Sequence, residues 1–289
     1  MKALWHRWVD VWDRREPATA LALVRIGIAV VLLADYLWIA RLGMVHATWS
    51  RPPLGYGGAD AVVWYGVVVA ALACIGLGAA TPLACVVFAV ASARLSWAAP
   101  DCESGSDILL RIVVPILALS RCNAQWSIDA WVMRRLGRPM ATEVPAWPRY
   151  LIMVQLVWVY FSGGQNKSSA VWGPLGGFTA LGNALMDPGA GRLPVSWVAA
   201  LYPLTRVATA LTMVFEWAAP LYLLAYAKNW RMRWVWLALG VSFELGIAVG
   251  LRLGSFPYAM LALFPALLRP EDFQRLKTRT PANRASSPS

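Results

Sequence analysis

Apolar runs long enough to cross the roughly 30 Å of hydrocarbon in a bilayer recur along this chain. Eight of them lie near residues 19–40, 61–79, 82–99, 107–121, 147–163, 205–227, 232–250 and 255–269. A soluble domain cannot cover that much apolar surface. Of the 289 residues, 59% are hydrophobic and only 14% charged, against roughly half and a quarter in soluble proteins. The chain therefore reads as an all-α integral membrane protein, a bundle of about eight transmembrane helices. The fourth and last runs are short. Between the fifth and sixth lies a Gly/Pro-rich interrupted region, Gly163 to Pro203, in which 178–186 has the pattern of an interfacial or re-entrant helix. Irregular backbone at membrane depth persists only against protein or a watery cavity, so this region is expected to wall a site.

The basic residues give the orientation. Lysines and arginines gather before the first run, after the fourth (Arg121, Arg134, Arg135, Arg138), after the sixth (Lys228, Arg231, Arg233) and after the last. Under the positive-inside rule these segments are cytoplasmic, which places both termini on the cytoplasmic side of the membrane, the cytoplasmic membrane if the protein is bacterial. The net charge of +11 is scattered between apolar runs, so it points to the lipid bilayer as partner and not to nucleic acid. Residues 1–18 carry Trp5, Trp8 and Trp12 among charges and read as an interfacial segment, not a cleaved signal. Residues 19–269 form the membrane domain, and 270–289 read as a polar, disordered cytoplasmic tail.

No metal site is expected. The cysteines, Cys74, Cys85, Cys102 and Cys122, contain no CxxC, and the histidines are His6 and His46. That is too few for haem or di-iron ligation. The cysteines read as small buried hydrophobes.

Ionisable groups inside the runs carry more information, because a charge in hydrocarbon costs at least about 2.5–3.5 kcal/mol and needs a partner or a purpose. Arg25 and Asp35 share roughly one face of the first run but stand about 15 Å apart along it, so they cannot pair with each other. Glu216 and Glu244 lie in different runs. Each must be protonated or must face a cation such as Arg25, Arg206 or Lys167. Either a buried polar network that fixes helix packing or a proton-handling cavity satisfies that requirement.

Five stretches in order resemble the horizontally transferred transmembrane (HTTM) family and, with it, the membrane domain of vitamin K-dependent gamma-glutamyl carboxylase. They are LALVRIGIAVVLLAD (Leu21–Asp35), WSID (Trp126–Asp129), VYFSGGQNKSSAVWG (Val159–Gly173), FEWAAPL (Phe215–Leu221) and FELGIAVGLRLGSFPYAMLALFP (Phe243–Pro265). The resemblance implies a reduced, vitamin K-like quinone as cofactor and a carboxylase/epoxidase-like or quinone-oxidising chemistry of lyase type. It also implies a peptide or protein substrate and a redox or peptide-maturation partner. It identifies Lys167 as the base that deprotonates the hydroquinone. A lysine in water is protonated at neutral pH. Shelter beside an apolar, Trp-lined wall disfavours the ammonium form and is what such a base requires.

Tyr160 and Trp172 are suited to stack on or hydrogen-bond to a quinone ring, and Gly163 and Gly164 to admit it closely. Asn166 belongs to the same stretch. The pocket is expected to open externally and to hold Lys167, Tyr160, Trp172 and Glu244, with Glu216, Arg25 and Asp35 in the polar network. Two positions depart from the family pattern: Glu244 and Ser106 stand where relatives carry histidine. Two alternatives accompany this expectation. One is a non-catalytic membrane component of exported-peptide or toxin maturation. The other is a transporter, although only one interrupted region is apparent where transporters usually pair two.

Overall fold

The computed structural model describes residues 2–41, 58–98, 105–228 and 230–279. Their structure is all-α apart from one short ribbon. His46 and Cys102 lie outside the described residues, as does the segment from residue 280 onward within the expected tail. In chain order the helices are α1 (Lys2–Asp13), α2 (Thr19–Arg41), α3 (Gly58–Leu77), α4 (Thr81–Ala98), α5 (Gly105–Leu119), α6 (Ile128–Arg135) and α7 (Trp147–Asn166). They continue as α8 (Ala180–Met186), α9 (Val195–Ala200), α10 (Tyr202–Ala218), α11 (Leu221–Lys228), α12 (Trp230–Gly250), α13 (Phe256–Leu263) and α14 (Pro270–Arg279).

Among the described residues two helices are long and apolar enough to cross a membrane by themselves, Thr19–Arg41 and Arg231–Gly250. Val62–Leu77, Thr81–Trp97 and Phe256–Leu267 are apolar but shorter. The sixth apolar run is not one continuous helix. It breaks at Ala219–Pro220 into α10 and α11, because proline supplies no N–H and its ring crowds the preceding turn. The Gly163–Pro203 stretch folds as 3-10 turns at Ala170–Trp172 and Pro174–Gly176 followed by α8 and α9.

The chain divides into two compact units, one formed by residues up to Ile152 with those from Ala262 on, the other by Met153–Leu261. In the first unit α3 packs between α2 and α4, and α5 lies against α4. One end of this unit gathers five chain segments. Strand β1 (Arg15–Pro17) pairs antiparallel with β2 (Glu143–Pro145). Thr19 Oγ1 donates to Gln125 Oε1 at 2.9 Å. Asp129 Oδ1 accepts from the Ala80 N–H at 2.7 Å, at the end of the α3–α4 turn. Arg149 Nη1 donates to the carbonyls of Ala266 (3.1 Å) and Leu268 (3.2 Å).

Three polar anchors hold this end, Arg149 and Arg25 buried and Asp129 half-buried. Arg149 forms a fork on Glu16, Nε to Oε1 at 2.5 Å and Nη2 to Oε2 at 2.8 Å. Arg25 is fully buried in α2 and donates to the carbonyls of Ile75 (2.6 Å), Gly76 (2.7 Å) and Trp126 (2.7 Å). The first two of these are C-terminal carbonyls of α3, where the helix carries partial negative charge, so they take the place of a carboxylate. Gly78, at φ +69°, makes the turn possible: a Cβ there would lie 2.3 Å from Ser127 Cβ and 2.8 Å from Arg25 Nη1. Asp129 is the third anchor. Burial works against its charge, but hydrogen bonds from Asn123 Nδ2 (2.6 Å) and from the N–H groups of Ala80 and Thr81 outweigh that and hold its carboxyl below the usual range.

Candidate functional site

The second unit assembles its polar groups around the end of α7. Along that helix Tyr160, Gly163, Gly164 and Lys167 recur at intervals of three and four, which puts them on one face. Lys167 is the first residue past Asn166, the last of the helix. A cation is favourable there because the final turn leaves carbonyls unsatisfied. Its Nζ donates to the Gly163 carbonyl at 3.3 Å and to both oxygens of Glu216 at 2.6 Å each. The ammonium also sits 5.0 Å from the centroid of the Trp172 ring, in the 3-10 turn that follows, a cation–π arrangement. Lys167 is partly open, its side chain 21% exposed, whereas Glu216 is buried.

Glu216 lies in the last turn of α10, just before the Pro220 break. Gly164 is what lets α10 come so near α7. A Cβ there would stand 3.1 Å from Glu216 Cβ and 3.2 Å from Trp217 Cδ1. At this position the missing side chain serves helix packing. Gly163 is roomier, with Glu216 Oε1 3.4 Å and Lys167 Nζ 3.7 Å from where its Cβ would be.

Deeper in the unit Tyr160 Oη donates to Glu244 Oε1 at 2.5 Å. Glu244 is fully buried on α12, and its Oε2 has no hydrogen-bond partner among the described residues. Aromatic rings enclose the pair. Tyr160 meets Phe215 and Phe243 edge-on at 5.1 and 5.9 Å, and Phe215 in turn packs on Trp236 at 5.3 Å. Each phenylalanine immediately precedes a site carboxylate, Phe215 before Glu216 and Phe243 before Glu244. The repeated Phe-Glu pair on α10 and α12 thus brings one ring and one carboxyl group from each helix toward α7.

Not every expected residue joins these contacts. Arg206 turns to the Gly177 carbonyl at 2.5 Å, leaving Lys167 as the cation on Glu216. Arg25 is committed to backbone carbonyls in the first unit, and Asp35 is half-buried on α2 in that same unit. Asn166 is exposed at the helix end. Among the described residues no group of three His, Cys, Asp or Glu side chains could hold a metal ion. The Glu16–Arg149 pair was not anticipated. Its one sequence signal is a charged residue at the start of an apolar run, three positions into Trp147–Asn166.

The site can hold or exchange a proton between Lys167 Nζ and Glu216, and it offers an unsatisfied carboxyl oxygen beside a wall of rings. The chain matches the HTTM domain over residues 13–271. Neither a curated relative nor a solved structure matches it. The match spans nearly the whole chain, and the protein belongs to the HTTM family, the membrane-associated family of the vitamin K-dependent carboxylase membrane domain.

Proposed function

We propose that this HTTM protein binds a reduced, vitamin K-like quinone in an external-facing cavity and that Lys167, working with Glu216, takes up a ring-hydroxyl proton. The observation that carries the reading is the Lys167–Glu216 contact beneath Trp172, partly open and at a helix end. The residues present fit an aromatic diol. Trp172 and Tyr160 supply ring faces and edges, and the orphaned Glu244 Oε2 supplies a hydrogen-bonding position for a second polar end of the ligand. When bound, such a ligand supplies two acidic hydroxyls and a pair of electrons.

The protein's part is proton handling. All three donors of the Lys167 ammonium have acceptors, two on Glu216 and one on Gly163. Lys167 therefore becomes a base only after passing one proton to Glu216. It then accepts a proton from the ligand hydroxyl, and the pair ends as an ammonium beside a carboxylic acid, one positive charge richer. That added charge is favourable next to a ligand oxygen that has lost its proton.

The same reading takes the chain as about eight spans, with α10 and α11 together forming the sixth, and both termini cytoplasmic. The end of the first unit that gathers the starts of α2 and α7 is then cytoplasmic. A reporter fused at Ser289 reads inside and one inserted near Asp187 reads outside. Finding both on one side contradicts this topology.

Oxidation of a short-tailed reduced naphthoquinone by O2, followed optically in proteoliposomes, tests the chemistry. Lys167→Ala and Lys167→Arg both abolish it if Lys167 is the base, since Arg stays protonated. An active Arg variant reduces the residue to a positive charge. Wild-type rates in both variants overturn the reading in favour of a membrane component of peptide maturation.

A further inference from the structure

The polar end of the first unit carries an apolar surface that no described residue of the unit covers. On α6 the residues Ile128, Trp131, Val132 and Arg135 follow one another at spacings of three, one and three, which is a single helical stripe. All four are exposed, while Ala130 on the opposite face is buried. The helix is fastened with this stripe outward: Ser127 Oγ accepts from the Ala130 N–H as N-cap, and Asp129 is tied to the start of α4.

Helix α1 is built the same way. Trp5, Trp8 and Trp12 share one face, with Trp5 64% and Trp8 57% exposed, and the chain then enters the membrane-crossing candidate α2 after five residues. Basic groups flank both stripes: Arg15 after α1, and Arg134, Arg135 and Arg138 at the end of α6, all exposed. Arg135 extends over the Trp131 ring, its Cζ 5.4 Å from the centroid.

We propose that α6 and α1 form an interfacial collar that binds anionic phospholipid headgroups, with Trp131, Trp5 and Trp8 at the depth of the acyl-chain boundary and Arg134, Arg135 and Arg138 on the phosphates. Two observations select lipid as the occupant. The α1 stripe runs within five residues into the membrane-crossing candidate α2, and α6 is tied next to the starts of α2 and α4 by Gln125 and Asp129. On the proposed topology both stripes therefore lie at the bilayer surface. Tryptophan beside arginine is also the composition that suits that surface, an amphipathic ring at headgroup depth and a guanidinium for phosphate. Clustered arginines next to a span attract anionic lipid individually weakly and together by several-fold.

Spin-labelled lipids read the preference directly. The full chain is reconstituted in phosphatidylcholine vesicles, and the motionally restricted fraction is compared for labelled phosphatidylglycerol and labelled phosphatidylcholine. The wild type retains phosphatidylglycerol several-fold better, and raising NaCl to about 1 M, where the screening length is near 3 Å, removes most of that preference. Arg134→Gln/Arg135→Gln/Arg138→Gln brings the two lipids toward parity while Trp131 stays. Equal retention of the two lipids by the wild type at low salt overturns the proposal. So does a triple variant that folds with its preference intact. Should the triple variant fail to fold, the salt series on the wild type still decides: a preference that does not respond to salt contradicts headgroup electrostatics and leaves a protein partner as the occupant of the stripe.

Discussion

The two units treat buried charge in opposite ways. In the first, Glu16 and Arg149 are both almost fully buried and joined by a two-point fork, and the remaining guanidinium donor is spent on carbonyls. Arg25 likewise places both terminal nitrogens on the backbone carbonyls of Ile75, Gly76 and Trp126, although its Nε has no partner among the described residues. In the second, the cation of the Lys167–Glu216 pair reaches the surface, and Glu244 keeps an oxygen without a partner. Saturated charges lock a backbone in place. A buried carboxyl oxygen without a donor, such as Glu244 Oε2, costs about 1–3 kcal/mol, and the proposed function assigns that position to a ligand.

Arg149→Ala sharpens this contrast most. It strands Glu16 in an apolar setting and should cost about 3–5 kcal/mol, read as a large fall in the thermal unfolding midpoint in detergent, whereas Lys167→Ala should move that midpoint far less. Equal losses would erase the distinction between the units. Arg25→Lys comes next. A point charge cannot reach the spread of carbonyls that a planar guanidinium serves, and a loss of about 2–3 kcal/mol is expected from the unmet acceptors. Tyr160→Phe removes the donor to buried Glu244 Oε1. A cost of about 1–3 kcal/mol belongs to a deep polar pair, and no measurable cost would mean the contact carries no weight.

The smallest effect concerns Asp129. Its folded carboxyl titrates below the unfolded value of roughly 3.9. The stability this supplies is complete above that unfolded value and disappears as pH falls through the lower, folded one. Asp129→Asn should therefore flatten the acid limb of a stability–pH curve and leave the slope above about pH 5 unchanged. A variant whose acid limb matches the wild type would remove Asp129 from the anchors.

Much of the helical layout was legible because membrane-length apolar runs leave few other options, and membrane-family membership followed from motifs spread along the chain. The break at Pro220 was not, although the proline is plain in the sequence, since proline within apolar runs is often tolerated in membrane helices. The site was legible in part. Lys167 stood out by its glycine-rich setting, and Glu216 and Glu244 by their apolar surroundings. Which cation faces which carboxylate was not legible, because Arg25, Arg206 and Lys167 differ only in three-dimensional position. Tyr160 and Glu244 are 84 residues apart, and Arg149 and Glu16 are 133 apart. No local pattern encodes pairings of that span.

The central claim is that the Lys167–Glu216 pair exists to meet a ligand and not to lock α7 to α10. Saturable quenching of tryptophan fluorescence by a short-tailed reduced naphthoquinone measures it directly on the purified full chain. The account predicts saturable binding to the wild type and a loss of at least about tenfold in Lys167→Ala, roughly 1.4 kcal/mol at 25 °C, with the unfolding midpoint little changed. Undiminished binding in Lys167→Ala, or a variant that unfolds as readily as Arg149→Ala, would contradict it.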